Sequence, residues 1–219
     1  MKKTLLAGFL ALSTPSLFAN LILNPGFESS EVGASSLAIL PIGDPFITSW
    51  TISGAPVLVI EDPYSESGGA LVFQSHGGDQ HLDITGAGNT GPAVVSQIVA
   101  TAIGVDYTLS FWIGNQDDAF ALYPLTSNID VLIDGVSAGV FGHDDNTPGM
   151  VTWRFFSTTF TARQAATEIR FVNATAGDNF AGLDDVSLDA VVSSSVPEPG
   201  SFALAGLALA ALGILRRRG

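Results

Sequence analysis

The sequence predicts an all-β domain built as a two-sheet jelly-roll sandwich, followed by a C-terminal hydrophobic helix. Short runs rich in Val, Ile, Thr and Phe are separated by Gly and Pro, which is typical of strands and turns. No long stretch repeats its apolar residues with the 3.6-residue period of a helix. About ten short strands in one domain favour a sandwich over other β architectures.

The predicted strands follow one another along the chain between Gly-rich turns. They are Leu21–Asn24, Ile47–Ile52, Val57–Glu61, His81–Ile84, Val94–Ala100, Tyr107–Ile113, Ile129–Ile133, Thr152–Phe160, Glu168–Asn173 and Gly182–Asp189. Asp134-Gly135, between Val131–Ile133 and Val136–Phe141, is the clearest hairpin turn. In Tyr107–Ile113 alternate residues are apolar, which predicts a core face and leaves Trp112 on the polar face.

The N-terminal residues predict a signal peptide over residues 1–19. Lys2-Lys3 forms a basic start, Thr4–Leu12 is apolar and too short to span a membrane, and Ala19 is a suitable last residue before cleavage. The sandwich domain is therefore expected at residues 20–191 of an exported protein.

The C-terminal residues predict a linker at 192–200 and a membrane helix with a basic tail at 201–219. The linker contains Pro197, Glu198 and Pro199, and the tail ends in Arg216, Arg217 and Arg218. The apolar run has 15 residues, roughly 22 Å as a helix against about 30 Å of bilayer hydrocarbon. Such a short run is a weak permanent anchor, and its basic end is expected to stay cytoplasmic.

This order resembles the PEP-CTERM sorting signal of exopolysaccharide-producing Gram-negative bacteria. The resemblance implies secretion machinery and an exosortase as partners. It also implies transient anchoring in the inner membrane before the protein reaches the cell surface or extracellular matrix. An ordinary C-terminal anchor is the alternative.

Charge and the lack of cysteine restrict the function of the exported part. It has three arginines against 20 acidic residues, a formal charge of about −17, which excludes nucleic acid as a partner. With no cysteine it has neither disulfides nor a thiol nucleophile. The motifs of serine hydrolases, zinc proteases and P-loop proteins do not occur. His76 and His81, with Asp83 nearby, could form a two-His-one-carboxylate metal site, but exposure in loops is the better interpretation, and His143 is expected in a solvated acidic loop.

Several motifs in this order resemble the galactose-binding-like jelly-roll domains, a group that includes many carbohydrate-binding modules. They are Asn24–Glu28, Ser49–Thr51, Gln80–Ile84, Val95–Gln97, Tyr107–Phe111, Gly114-Asn115, Trp153, Phe160–Ala162 and Leu183–Leu188. The resemblance implies the fold more safely than the function.

The same resemblance implies a structural Ca²⁺ where the first and last strands meet. It places Glu28 and Asp185 as carboxylate ligands and Gly26 as a backbone ligand. Calcium takes 6–8 oxygens, so Asp79 or Glu66 in the middle loops could complete the site. The alternative is that the carboxylates only cap strand ends in solvent.

Exposed aromatic residues suggest a carbohydrate site, because a flat ring can pack against the apolar face of a sugar. Trp112 is the expected platform, although the resembled domains have a polar residue there and a loop could cover the ring. Asn128 and Asp130 are expected on the same outer face if their strand pairs nearby, with Tyr64 and Tyr123 in loops that could border the groove.

The predicted function is therefore non-catalytic binding of a glycan, such as an exopolysaccharide, or a matrix-associated role. The alternative is a purely structural biofilm or matrix protein without a ligand. A glycan hydrolase of the same fold is a remote third possibility, since acids are plentiful and could include a catalytic pair.

Overall fold

The described part of the chain is built of β-strands. The computed structural model describes residues 19–86, 92–116, 126–145, 147–175 and 180–191. Within these residues the strands are β1 Leu37–Leu40, β2 Thr51–Ser53, β3 Val57–Glu61, β4 Tyr64–Glu66, β5 Leu71–Phe73, β6 Gln80–Asp83, β7 Val94–Ala100, β8 Asp106–Gln116, β9 Ser127–Ile133, β10 Val136–His143, β11 Val151–Thr161, β12 Ala166–Asn173 and β13 Gly182–Ala190. A short 3₁₀ turn, Ser67–Gly69, joins β4 to β5.

Two large sheets make the sandwich, which confirms the predicted all-β, two-sheet fold. The six-stranded sheet has the order β1-β3-β6-β13-β8-β11, and the five-stranded sheet has the order β10-β9-β12-β7-β2. Their strands pair antiparallel. The β4–β5 hairpin forms a separate two-stranded sheet.

The predicted terminal segments lie largely outside the described residues. These are the signal peptide, apart from residue 19, the linker and the C-terminal helix. In the described part of the chain, no helix is long and apolar enough to cross a membrane.

The main core fills the space between the two large sheets. Leu109, Phe111 and Ile113 of β8 are fully buried, as the alternation in the sequence predicts. Phe111 packs edge-on against Phe171 of β12 in the opposite sheet, with ring centroids 5.1 Å apart. The side chains between them along β8 therefore leave the sandwich on the outer face of the six-stranded sheet.

The turn at Asp134-Gly135 joins β9 to β10 as predicted. Both residues have positive φ, 50° and 78°, which is the combination required by a type I′ hairpin turn. Such a turn matches the twist of the flanking strands and sets their register.

The predicted first strand, Leu21–Asn24, is wrong. Side-chain oxygens replace the strand ladder there: Ile22 N–H donates to Asn20 Oδ1 and Leu23 N–H to Gln97 Oε1. Asn24 has φ 51°, a left-handed conformation that ends any extended run. The segment still lies against β13, because Leu21 N–H donates to the Leu188 carbonyl.

A second, smaller core was not predicted. The β4–β5 hairpin covers part of the outer face of the six-stranded sheet and buries a cluster of Ile60, Leu71, Phe73, Val151 and Phe180. His81, on β6, is fully buried beside this cluster and packs edge-on against Trp153 and Phe180. Its expected loop exposure is wrong, and so is that of His143, which is 1% exposed.

Candidate functional site

An aromatic row lies on the outer face of the six-stranded sheet. Trp112 on β8 is paired with Phe155 on β11 and with Asp184 on β13, so the three side chains share that face. The Trp112 and Phe155 rings meet edge-on at 5.5 Å, and Phe155 is 52% exposed. His76, from the loop before β6, stacks on Trp112 with centroids 3.7 Å apart and planes 18° apart. We call His76, Trp112 and Phe155 the aromatic row.

The stacking alters the platform predicted from the sequence. Trp112 does lie on the outer face and is half-exposed. One face of its indole is taken by the imidazole of His76, so Phe155 contributes more of the open aromatic surface. A polar loop residue packing on a strand tryptophan leaves no signal in the sequence.

Hydroxyl groups continue the same face beyond the aromatic row. The next pairs along the strands align Ser157, Ser110 and Ser187, and the Ser110 and Ser187 hydroxyls are 2.7 Å apart. The following pairs align Thr159, Thr108 and Asp189. The outer face of β11, β8 and β13 thus joins aromatic rings to rows of hydroxyls.

Asn128 and Asp130 do not join this face, and the expectation that they would is wrong. They lie on β9, in the five-stranded sheet, where Ile129 and Val131 point into the core. Their side chains leave the sandwich on its opposite side. Asp130 there accepts a hydrogen bond from the Ser137 hydroxyl at 2.6 Å.

The two tyrosines expected at the groove have different outcomes. Tyr64 lies in the β4–β5 hairpin, where its ring packs on Phe73 at 5.6 Å and its hydroxyl donates to Glu66 Oε1 at 3.0 Å. These contacts attach it to the second core. Tyr123 lies outside the described residues.

A carboxylate cluster lies beside the aromatic row, where the N-terminal segment meets β13. A Cβ placed on Gly26 would lie 3.6 Å from Asp184 Oδ1, from Asp185 Oδ1 and from Glu28 Cγ. Glu28 and Asp185 therefore approach each other around Gly26. We call Glu28, Asp184 and Asp185 the carboxylate cluster.

The loop before β6 wraps closely around this cluster. Glu28 Oε1 accepts hydrogen bonds from the backbone N–H groups of Asp79 and Gln80, at 3.0 and 2.9 Å. A Cβ at Gly77 would collide with the Asp185 carboxylate, and one at Gly78 would collide with that of Glu28. Glycine is required at both positions for this approach.

His76 links the carboxylate cluster to the aromatic row. Its Nδ1 lies 2.6 Å from Asp185 Oδ2, and its backbone N–H donates to Asp184 Oδ2 at 2.9 Å. Because the same imidazole stacks on Trp112, the position of the row depends on that of the two aspartates.

Asp184 has the most strongly perturbed pKa of the cluster, and the sequence pattern does not predict that it belongs to the cluster. It is fully buried, and burial raises its pKa to about 8 despite backbone hydrogen bonds from Gly77, Asp185 and His76. Burial also raises the pKa of Glu28, against the backbone N–H groups of Gln80 and Asp79. The sequence contains the Asp184-Asp185 pair but does not indicate which of the two carboxyls is buried. In the structure it is Asp184, whose side chain lies beside Trp112 on the outer face of the sheet.

The cluster offers carboxylate oxygens, the kind of ligand that calcium binds, and a cation beside it would lower the raised pKa of the buried Asp184 carboxyl. Asp79 approaches Glu28 through its backbone N–H, whereas Glu66 lies in the β4–β5 hairpin. In the described ranges no group of three or more His, Cys, Asp or Glu side chains is already arranged to hold a metal ion. A bound calcium would therefore need backbone carbonyls or water as further ligands.

Comparison with known proteins identifies one motif and several distant structural likenesses. Residues 195–218 match the PEP-CTERM protein-sorting motif. No curated protein matches the chain. The chain is similar to TmCBM61, solved in complex with beta-1,4-galactotriose (20% identity, 80% of this chain, 100% of that one, TM-score 0.46).

Two further solved structures are similar. The CBM22-1 xylan-binding domain of Paenibacillus barcinonensis Xyn10C has 13% identity over 77% of this chain and 93% of that one, with a TM-score of 0.45. A family 35 carbohydrate binding module from Clostridium thermocellum has 13% identity over 71% and 99%, with a TM-score of 0.42. Because these TM-scores are below 0.5, the assignment of a two-sheet sandwich depends on the strand order of this chain and not on the similar structures.

The sorting motif has a direct consequence for location. It confirms the resemblance seen in Pro197-Glu198-Pro199 and the terminal arginines, and it implies an exported protein that an exosortase processes. The residues of the motif lie outside the described ranges.

Proposed function

We propose that the domain is a non-catalytic glycan-binding module that works at the cell surface or in the extracellular matrix. It is anchored briefly in the inner membrane of a Gram-negative bacterium before exosortase processing. The observation that supports binding is the outer face of β11, β8 and β13, where half-exposed aromatic rings adjoin rows of hydroxyls.

This combination suits a sugar. The apolar face of a pyranose packs on an aromatic ring, and its hydroxyls need nearby donors and acceptors. Phe155 and the open part of Trp112 offer the ring surface. Ser110, Ser157 and Asp189 lie one and two pairs further along the same strands.

A neutral stretch of an exopolysaccharide is the glycan class that fits best. The exported part carries three arginines against 20 acidic residues, so it repels anionic chains at long range. Arg154 is paired with Asp144, and Arg170 lies 3.5 Å from Glu168. Two of the three cations are therefore already engaged.

We also propose that Glu28 and Asp185, with the backbone at Gly26 and further backbone or water oxygens, would hold a structural calcium ion beside Asp184. The ion would supply positive charge to a buried carboxyl and so keep Asp184 ionised. The loop that carries His76 is bonded to these aspartates, so this charge would also fix the stacking of His76 on Trp112.

Affinity electrophoresis through gels containing neutral polysaccharides tests the binding proposal. Phe155→Ala should weaken retardation on the order of tenfold, or about 1.4 kcal/mol, because it removes the open ring. Ile98→Ala is the matched control: Ile98 is 71% exposed on the five-stranded sheet, and its loss should leave binding unchanged.

Three results would contradict the proposal. If Phe155→Ala and Ile98→Ala change the retardation equally, the aromatic row is not part of the binding site. If no polysaccharide retards the protein but biofilm changes when the gene is lost, a purely structural matrix role replaces glycan binding. Release of soluble sugar from the gel matrix would show that the module is catalytic.

A further inference from the structure

The two large sheets have four edge strands, and three of them carry features that block edge-to-edge pairing. β1 has four residues and β2 has three, which is too short to template a long ladder. β10 has an irregularity between Ser137 and Gly139 in its register with β9, which bends the edge. Short edges and bulges are common protections against association through free backbone groups.

The fourth edge, β11, is neither short nor irregular. It is eleven residues long and pairs with β8 through eleven consecutive residues without a register shift. Its sequence contains no proline, lysine, aspartate or glutamate, and Arg154 is its only charged residue. In the described part of the chain, no strand pairs with its other side.

Charge indicates what can pair with this edge. A basic partner would be drawn to the acidic surfaces of the domain and not to a strand without an acid. A partner that is itself strongly acidic can approach only where acids are absent. A second copy of this chain meets that condition, because its own β11 also contains no acidic residue, and the nearby Asp144 is already paired with Arg154.

We propose that two copies of the protein associate through β11, antiparallel and related by a two-fold axis near the middle of the strand. The pairing joins the two six-stranded sheets into one continuous sheet. It also brings the outward side chains of β11, among them Phe155 and Ser157, next to those of the second copy. This inference does not depend on glycan binding.

The lack of cysteine in the chain allows a direct test by crosslinking. Cysteine is placed in turn at Phe155, Ser157 and Thr159, on the outward side of β11, in the full-length protein expressed and exported by its host. A short thiol crosslinker should give dimers with a yield that peaks at one position and falls on either side, as a two-fold axis requires. Ser110→Cys is the control, because Ser110 lies on the same face one strand inward. Equal yields at all four positions, or none, would overturn the proposal.

A charge substitution provides the second arm. Ser157→Asp puts like charges near each other across the axis and should weaken self-association of the exported protein on the order of tenfold in sedimentation velocity. Thr51→Asp adds the same charge to the exposed, short edge strand β2 and should leave association unchanged. Circular dichroism confirms that both variants fold. A wild-type protein that stays monomeric at all concentrations, or equal effects of the two changes, would refute pairing through β11.

Discussion

The buried carboxyl of Asp184 should make the stability of the calcium-free domain fall as the pH rises through neutrality. Its pKa is about 8 in the folded protein, against about 3.9 in an unfolded chain. Between these values the folded state binds more protons than the unfolded state. Stability is then fullest at low pH and is lost as the pH approaches and passes 8.

His81 limits the pH window in which this loss can be seen. Burial lowers its pKa to about 3 from 6.5, so between these values the folded state binds fewer protons and stability rises with pH. The two effects oppose each other below pH 6.5. The opposition fades above pH 6.5, where the unfolded-state histidine loses its proton. Between pH 6.5 and 8 the titration of Asp184 should lower the free energy of unfolding by about 1.5 kcal/mol.

The assay is urea unfolding in EDTA at several pH values from 6.5 to 8, for the wild type and for Asp184→Asn. The asparagine cannot titrate, so the difference between the two proteins should change by about 1.5 kcal/mol across the window. Asp189→Asn, the same change at a half-buried position of the same strand, should retain the wild-type slope.

Calcium gives the second part of this experiment. A bound ion keeps the carboxylate ionised, so saturating calcium should remove the wild-type slope if the proposed site exists. A wild-type slope equal to that of Asp184→Asn in EDTA would refute the reasoning from burial. If calcium leaves the pH dependence of the wild-type free energy of unfolding unchanged, the calcium proposal is refuted but the reasoning from burial is not.

Two further outcomes are expected. Calcium at saturating concentration should raise the melting temperature of the wild type, and Glu28→Gln should reduce that rise in differential scanning calorimetry; an equal midpoint with and without EDTA would contradict the site. Gly78→Ala should lower the free energy of unfolding by about 1–2 kcal/mol, because Gly78 has a left-handed backbone with φ 64°. The new Cβ would also displace the Glu28 carboxylate, so the urea midpoint should fall. An unchanged midpoint would show that the loop adjusts at little cost.

Local patterns predict the parts of this fold that depend on local physics. The alternation in β8 identifies its buried face, and Asp134-Gly135 marks a hairpin, because both depend on neighbours in the sequence. The prediction of a strand at Leu21–Asn24 is wrong because side-chain amides, including that of Gln97 far away in the sequence, accept its backbone hydrogen bonds. The sheet to which β9 belongs is decided by pairing between strands that are distant in sequence. Local patterns carry no information about that pairing, so they cannot show that β9 and β8 lie in different sheets.

The candidate site divides in the same way. Alternation along β8 predicts that Trp112 lies on the outer face. The resemblance to galactose-binding-like domains predicts that Glu28 and Asp185 lie close together. The stacking of His76 on Trp112 and the burial of Asp184 depend on how one loop folds back onto the sheet, and no spacing in the sequence encodes that.

The strand synthesised last among those described, β13, lies in the interior of the six-stranded sheet, between β6 and β8. During export the larger sheet therefore stays divided until almost the whole body has crossed the membrane. Because β13 pairs with both β6 and β8, the six-stranded sheet is completed only when this final strand is available.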